Sequence, residues 1–313
     1  MLGSTSLRDL AAASGIAPGA PLALAWVDAK GQVAEHASGT WPNGHPVTPR
    51  DRFYAASLAK QVTGAAAALL VRDGQLDPDA PIARYLDELP AWGREITARH
   101  LAHHAAGLPE VGIAEAAVQG NWTEDAVRAY LAGLEALPHA PGTAYSYANL
   151  GYILLARLVN TISGRGFAEF VADRLDLPDG MGFTNRIAEF PQSASLGPRL
   201  PLTTGDGGLW TTAGAFAHWL AAQNADRQRL ASLVTEPAQL IDGTPVPYGW
   251  GLGLRSFRDK PLFIHGGEWP GAVAKAVRCP SLGIAVVALA SGPPIEAVSA
   301  LVDTVLGQLA DAA

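Results

Sequence analysis

The sequence predicts an α+β fold in which one antiparallel β-sheet is built from both ends of the chain and flanked by helices. Strand-like runs cluster near both ends of the 313-residue chain, and helix-like segments broken by proline and glycine fill its middle. No internal repeat or low-complexity linker is visible. We expect a single domain over 1–313, with an α/β part at about 1–75 and 205–313 and an inserted helical subdomain at about 76–204.

The first 75 residues predict a helix, a hairpin and a second helix. Apolar residues recur around Arg8 and Asp9 as on an amphipathic helix, without the basic start and long apolar run of a signal peptide. Two strand-like runs, "LALAWVDA" and "QVAEHASGT", then flank the turn signal "KG". Residues 57–73 follow as a buried, alanine-rich helix that Gly74 ends.

In the rest of the chain, the predicted elements change from mainly helices to mainly strands near residue 205. Helical segments before that point include "LDPDAPIARYL", "TEDAVRAYLAGLEAL" and "GYILLARLVNTISG", and "AGAFAHWLAAQ" is one more helix just after it. Four β-like runs follow: "YGWGLGLRSF", "PLFIHGG", "AVAKAVRCP" and "GIAVVALAS". An amphipathic helix, "PIEAVSALVDTVLGQLA", closes the chain.

Composition and charge exclude several classes of function. Hydrophobic residues make up 49 % and charged residues 16 % of the chain, which is typical of a globular protein. The net charge of −7 gives no basic surface for nucleic acid. Cys279 is the one cysteine, so no internal disulfide or cysteine-based metal site is expected. No run reaches the roughly 18 apolar residues of a membrane span. We therefore expect a soluble, cytoplasmic protein with no nucleic-acid or membrane partner.

The start of the second helix carries the first chemical signal. Ser57 and Lys60 in "SLAK" have i, i+3 spacing and share one helix face, as in the motif S-x-x-K, where the lysine can take the serine proton. A buried ammonium is costly unless it is paired or loses its proton. The pattern alone leaves open a helix-capping serine next to a surface lysine.

Two further stretches point to one family. "YSYANLGY" contains Tyr147 and Asn149 in a Y-x-N pattern, and "FIHGGEWPG" contains an H-x-G pattern beginning at His265. With S-x-x-K, these motifs follow the order and spacing of the serine β-lactamase and penicillin-binding-protein superfamily. The chain most resembles its class C β-lactamase, DD-peptidase and family VIII esterase branch. Segments that flank the motifs, such as "ITARHLAHHAAGLP" and "GDGGLWTTAGAFAHWL", also resemble this family along most of the chain.

This resemblance implies a β-lactamase/transpeptidase-like fold and assigns roles to the motif residues. Ser57 is the expected nucleophile, at a helix N-terminus that favours negative charge. Lys60 is the candidate base, and Tyr147 is expected to relay protons in the same cleft. Asn149 is expected to orient Lys60 and the substrate amide.

The strand "FIHGG" is expected to form one wall of the cleft. His265, Gly266 and Gly267 would contact the substrate, and the glycines would let its backbone approach closely. His265 stands where class C β-lactamases carry lysine, and a neutral histidine holds a carboxylate less firmly. The oxyanion hole is expected from the backbone N–H groups of Ser57 and Glu268. The Glu268 carboxylate would favour substrates with a free amine, unless its side chain turns to solvent.

Other side chains near the motifs leave alternatives open. Trp210, Trp250 and Trp269 lie in predicted loops next to the motifs. All three are candidates for lining an acyl or leaving-group pocket, Trp210 and Trp269 foremost for substrate binding, and core packing is the alternative. His100 and His104 have the i, i+4 spacing of metal ligands, but the resemblance places a histidine commonly at the position of His104, so no metal is expected. The chain has no G-x-S-x-G elbow, no G-x-G-x-x-G and no P-loop, and we expect no cofactor.

The sequence thus predicts a serine hydrolase that acts through an acyl-enzyme on a small ester or amide. We place an esterase with weak β-lactamase activity first. The alternatives are a D-aminopeptidase or amidase, a DD-peptidase-like enzyme, or an acyltransferase or peptide cyclase using the same acyl-enzyme. A non-catalytic acyl-binding sensor is a more distant alternative. The lack of a signal peptide disfavours a cell-wall peptidase, and the oligomeric state is left open.

Overall fold

A computed structural model describes residues 7–110, 123–184, 190–196 and 203–313. The helices are α1 (Leu7–Ala13), α2 (Ala59–Arg72), α3 (Ala98–Ala102), α4 (Glu124–Ala132), α5 (Asn149–Ser163), α6 (Phe167–Arg174), α7 (Ala213–Asn224), α8 (Ala231–Val234) and α9 (Ile295–Asp311). The strands are β1 (Leu22–Val27), β2 (Val33–Ser38), β3 (Phe53–Tyr54), β4 (Met181–Phe183), β5 (Leu209–Thr211), β6 (Ala238–Gln239), β7 (Pro245–Val246), β8 (Gly253–Phe257), β9 (Lys260–Trp269), β10 (Ala272–Cys279) and β11 (Ile284–Ala290).

The main sheet joins the two ends of the chain. Its strand order is β2-β1-β11-β10-β9-β8, and each neighbouring pair is antiparallel. The first hairpin lies beside the last strand, because Leu22 pairs with Ala290 and Val27 pairs with Ala285. The predicted α+β fold, with one antiparallel sheet built from both termini, is confirmed.

Both faces of this sheet are covered by helices. On the inner face, Ala23 and Ala25 of β1 share a hydrophobic core with α2 and α7. On the terminal-helix face, Leu22 and Leu24 pack in a second core with α1 and α9. Because side chains alternate along a strand, β1, β10 and β11 each contribute residues to both cores. Every residue of β11 is buried, which explains why its sequence is continuously apolar instead of alternating.

Helix α2 runs through the inner core. Twelve of its residues, from Ala59 to Leu70, are buried, and it packs against α5. The loop before β8 approaches it closely: a Cβ atom on Gly251, which has φ +88°, would lie 2.0 Å from the Lys60 carbonyl oxygen. Only glycine permits both the left-handed backbone and this approach. Lys60 is therefore held on a buried and tightly packed helix.

A second, three-stranded sheet departs from the predicted division of the chain. Its strand order is β3-β5-β4, so it pairs strands from before, after and within the expected helical subdomain of about 76–204. The described part of that stretch contains α3 to α6, but it also contains β4. The segment "LDPDAPIARYL" is wrong as a helix, since only residues 82–84 form a single 3-10 turn.

Parts of the predicted elements lie outside the described residues. These are the start of the N-terminal helix (1–6) and three stretches of the helical subdomain (111–122, 185–189 and 197–202). Among the residues that are described, no helix is both long and apolar enough to cross a membrane.

Candidate active site

Ser57 lies in a 3-10 turn (Ala56–Leu58) that leads directly into α2. The preceding residue, Ala56, has φ +45°, a left-handed conformation that is unfavourable for a residue with a Cβ atom. This turn redirects the chain from β3 into the helix. It leaves the Ser57 side chain partly exposed, whereas its neighbours on both sides are buried.

The side chain of Lys60 is fully buried and meets three oxygen atoms. Its Nζ lies 3.1 Å from Ser57 Oγ, 2.6 Å from Asn149 Oδ1 and 2.9 Å from the carbonyl oxygen of Asp206. The last two oxygens can only accept hydrogen bonds. A neutral amine has two N–H donors for them, which leaves its lone pair for the Ser57 hydroxyl. The geometry thus suits proton transfer from Ser57 to Lys60.

Tyr147 borders the same site through its ring. Lys60 Nζ lies 5.1 Å from the centroid of the Tyr147 ring, within cation–π range. The His104 ring packs against the Tyr147 ring, with the two ring centroids 4.2 Å apart. His104 Nδ1 also accepts a hydrogen bond from the Ala148 N–H at 3.2 Å, which fixes the chain just before α5. Tyr147 is therefore held next to Lys60 by packing on His104.

Strand β9 passes in front of the Ser57 turn. A Cβ atom on Gly267 would lie 2.6 Å from the Ala55 carbonyl oxygen and 3.0 Å from the Ser57 nitrogen. Gly266 faces the opposite way, since its Cβ would meet Ile295 of α9 at 3.8 Å. Alternation along the strand then directs the Glu268 side chain to the terminal-helix face as well, where it is exposed. The expected contact between this carboxylate and the substrate does not agree with this geometry.

His265 is buried and engaged with the protein. Its Nε2 lies 2.8 Å from Tyr248 Oη and its Nδ1 lies 2.5 Å from the Gly266 carbonyl oxygen. The carbonyl can only accept, so the assigned tautomer carries its proton on Nδ1 and accepts from the tyrosine on Nε2. Burial, with the nearby Lys60 charge, lowers the pKa of His265 to about 3. The ring is neutral at pH 7, and with both nitrogens occupied it supports the cleft wall instead of anchoring a substrate carboxylate.

The chain also matches a protein-family model. A family model described as Beta-lactamase matches residues 7–309. The chain belongs to the Beta-lactamase family. It is accordingly a serine hydrolase, as the three motifs predicted.

Two curated relatives of this family member have the same name. A D-aminopeptidase from Gluconobacter oxydans (strain 621H) is 28 % identical over 267 residues, which is 78 % of this chain and 50 % of the relative. A D-aminopeptidase from Brucella canis is also 28 % identical, with the same coverage. The chain thus spans about half the length of the curated relatives it matches.

Solved structures share the fold at lower identity. D-amino acid amidase from Ochrobactrum anthropi SV3, complexed with L-phenylalanine amide, matches with a TM-score of 0.82, 21 % identity and 98 % coverage of both chains. A penicillin binding protein from Bacillus halodurans matches with a TM-score of 0.79 and 20 % identity, covering 95 % of this chain and 98 % of that one. These likenesses establish the Beta-lactamase family fold.

Two predicted tryptophans are core residues. Trp210 lies in β5 instead of a loop and is fully buried, with its ring centroid 4.5 Å from that of Phe190 and 5.6 Å from that of Tyr54. Its assignment to substrate binding is wrong for this conformation. Trp250 is also fully buried, against α2. Trp269 is partly exposed on the same face of β9 as Gly267, which is consistent with a place at the cleft.

The three histidines of residues 100–104 are separately engaged. His100 Nδ1 accepts from the Thr97 N–H at 3.3 Å, as part of the cap of α3. His103 Nδ1 lies 2.7 Å from the Tyr248 carbonyl oxygen, and His104 packs against Tyr147. Across 7–110, 123–184, 190–196 and 203–313, no group of three His, Cys, Asp or Glu side chains is placed to hold a metal ion.

Sequence reasoning missed two residues next to the site. Asp206 supplies the carbonyl oxygen that accepts from Lys60, and Tyr248 donates to His265. The only signal for Asp206 was an acidic residue between glycines in "GDGG", which reads as an ordinary turn. Tyr248 lies in "YGWGLGL", a stretch that carried the resemblance without indicating a role for its first residue.

Proposed function

We propose that this serine hydrolase releases D-amino acids from their amides or from the N-terminus of short peptides, through an acyl-enzyme on Ser57. The observation that carries the chemistry is the 3.1 Å contact between Lys60 Nζ and Ser57 Oγ, with the remaining Lys60 contacts made to acceptors. The substrate class is supported by the names of the relatives, D-aminopeptidase and D-amino acid amidase. They favour this alternative over the esterase that the sequence analysis placed first.

In the proposed acylation step, Lys60 takes the Ser57 proton while Oγ attacks the carbonyl carbon. The oxyanion that forms would accept hydrogen bonds from the backbone N–H groups of Ser57 and Glu268. Proximity of the Gly267 backbone to the Ser57 nitrogen supports this assignment. The proton then passes to the leaving amine, and the C–N bond breaks.

In deacylation, water attacks the acyl-enzyme and the Ser57 oxygen recovers a proton. We assign the base of this step to Tyr147, on the ground that its ring borders Lys60 Nζ at 5.1 Å. Tyr147→Phe should then acylate normally but turn over slowly, giving a burst of first product followed by a slow steady state. A Tyr147→Phe enzyme with normal turnover would assign both steps to Lys60.

The substrate test compares matched pairs. D- and L-alaninamide, D- and L-alanine p-nitroanilide, p-nitrophenyl acetate and nitrocefin are offered to the purified chain and to Ser57→Ala. We expect kcat/KM to be at least tenfold higher for the D-aminoacyl compounds than for their L-enantiomers, and loss of all turnover in Ser57→Ala. Turnover of the acetate ester with none of the aminoacyl amides would reject the proposed substrate class and restore the esterase prediction.

A further inference from the structure

A loop of residues 203–208 lies directly behind the catalytic lysine. Besides the 2.9 Å bond from Lys60 Nζ to the Asp206 carbonyl oxygen, Thr63 Oγ1 of α2 donates to the Gly205 carbonyl oxygen at 2.8 Å. The loop is thereby bonded to α2 at two positions, one helical turn apart. Asp206 itself is only 4 % exposed. Its carboxyl group is therefore a buried, ionisable group beside the reaction centre that the chemistry above does not use.

Hydrogen-bond donors surround the buried Asp206 carboxyl. Oδ1 accepts from Thr203 Oγ1 at 2.9 Å, and the backbone N–H groups of Asp206 and Gly207 donate to the carboxyl as well. Burial raises the pKa of Asp206 on balance, and the Lys60 charge and these hydrogen bonds oppose that rise. Lys60 is the cation whose charge acts on this carboxyl.

Most other titratable groups around the pair are neutral at pH 7. Burial lowers the pKa of His104 well below its usual value and that of His265 to about 3. Burial likewise raises the pKa of Tyr54 and Tyr152 above the usual value for tyrosine.

The remaining ionisable neighbours lie at the edge of this group. Glu124 of α4 accepts from the Thr204 N–H at 2.9 Å, and burial raises its pKa. The Tyr147 ring lies 5.1 Å from Lys60 Nζ. The loop that carries Asp206 thus places an acidic side chain near the charge that forms on Lys60.

We propose that the Asp206 carboxylate is the counter-charge of Lys60 and stabilises the ammonium that forms when Lys60 takes the Ser57 proton. This proposal rests on the acyl-enzyme chemistry proposed above. In the step, the Ser57 O–H bond breaks, an N–H bond forms on Lys60, and Ser57 Oγ bonds to the acyl carbon. Lys60 gains one positive charge and the substrate oxygen one negative charge, and no proton moves to or from Asp206. Asp206 acts through Lys60 and is a positioning residue.

A counter-charge has two measurable consequences. It makes Lys60 a stronger base, which speeds proton removal once the amine is free. It also favours the ammonium in the resting enzyme, so that a higher pH is needed to free the amine. Loss of the carboxylate should therefore lower the plateau that the acylation rate reaches at high pH. It should also move to lower pH the acid limb of the pH–rate profile, which is the range in which the rate rises with pH. A residue that merely held the loop in place would lower the rate without moving the limb.

The test measures the second-order rate of Ser57 labelling by a fluorophosphonate probe from pH 5 to 10. Asp206→Asn removes the charge, and Asp206→Ser is a second variant that retains a hydroxyl. We expect both to shift the acid limb down by about 1 pH unit or more, as for loss of a nearby opposite charge. The plateau should fall on the order of tenfold. Glu124→Gln, which keeps the acceptor for Thr204, is the control and should leave the limb in place.

The outcomes separate this proposal from the substrate assignment. An unmoved acid limb in folded Asp206→Asn or Asp206→Ser would overturn the counter-charge, and failure of both variants to fold would make Asp206 a structural residue and overturn it too. Thermal unfolding checks the fold of each variant. Because the probe does not depend on the amino acid substrate, a shifted limb together with no D-aminoacyl turnover would reject the substrate class alone.

Discussion

The two faces of strand β9 lie in different environments. On the inner face, Gly267 touches the Ser57 turn and His265 bonds to Tyr248. On the terminal-helix face, Gly266 lies under Ile295 of α9. Successive residues of one short motif, "HGG", are thus divided between a polar site and an apolar core. A linear motif on a strand specifies two environments, and only every second residue of it belongs to the site.

The same contrast holds for the helices that cover the two faces. Helix α9 presents an apolar side to the sheet, including Val298, Leu301 and Val302. Helix α2 is also largely apolar, but it brings Lys60 and Thr63 into its core. Each of these two groups donates to a backbone carbonyl of the loop of residues 203–208, and Lys60 also contacts Ser57 and Asn149. Buried polar groups are retained when their partners are in place, and here those partners surround the proposed base.

Replacing a lysine on each face gives the largest expected contrast. Lys60→Ala removes the proposed base, and we expect the rate of Ser57 acylation to fall by on the order of 10²–10⁴-fold. Lys275 pairs in register with Gly266 and so lies on the terminal-helix face, where Asp303 of α9 acts on its charge. Lys275→Ala should leave the acylation rate close to that of the parent. Labelling by the fluorophosphonate probe measures both, and equal losses would contradict a division of function between the faces.

The two glycines of "HGG" give the next largest contrast. A Cβ on Gly267 would lie 2.6 Å from the Ala55 carbonyl oxygen, so Gly267→Ala must displace backbone next to the Ser57 N–H. We expect kcat to fall on the order of 10²–10³-fold, as for loss of an oxyanion donor. Gly266→Ala meets its nearest neighbour at 3.8 Å, an ordinary contact, and is the matched control. A Gly267→Ala enzyme with kcat like that of Gly266→Ala would place the oxyanion donors elsewhere.

The sequence predicted the long elements because their patterns repeat over many residues. Helix α5 is apolar for most of its length and ends at Gly164, which has φ +67°, so both its existence and its end could be predicted. Strands β3, β4 and β5 have two or three residues each, too few for any periodicity. The tryptophan of β5, Trp210, was therefore assigned to a loop.

Residue types and spacing indicated Ser57 and Lys60 as a pair, but not what else Lys60 binds. The Asp206 carbonyl is a backbone group from a loop 146 residues away, and no side-chain motif predicts such a partner. The orientation of Glu268 could have been predicted. If Gly267 is the residue that lets a backbone approach, alternation directs its neighbour to the other face.

A smaller effect is expected on the free energy of unfolding at acid pH, and it comes from a residue of the inner face. His265, on the inner face, has a folded-state pKa of about 3 against the ordinary 6.5. Between these values the unfolded chain binds a proton that the folded chain does not, so stability falls as pH drops below about 6.5. For His265 alone the loss from pH 7 to pH 5 is about 2 kcal/mol.

Urea unfolding at pH 7 and pH 5 measures this loss in the parent and in His265→Gln. The glutamine cannot titrate and can still accept from Tyr248. Because other buried histidines, including His103 and His104, also have lowered pKa values, the variant should still lose stability, but by about 2 kcal/mol less than the parent. An equal loss in both proteins would show that His265 is not the group protonated on unfolding.

The smallest effect is expected at Glu268, the residue that follows the two glycines. Glu268 pairs in register with Val273, whose side chain lies in the core shared with α9, so its carboxylate is directed away from Ser57. Glu268→Ser should therefore leave unchanged the ratio of kcat/KM for anionic substrates to that for neutral esters. Its backbone N–H is retained in the variant, so the proposed oxyanion hole is not tested by it. Measuring nitrocefin and p-nitrophenyl acetate side by side gives the ratio. A clear rise for the anionic substrate would show that the carboxylate reaches the cleft after all, and that the terminal-helix face is not separate from the site at this end of β9.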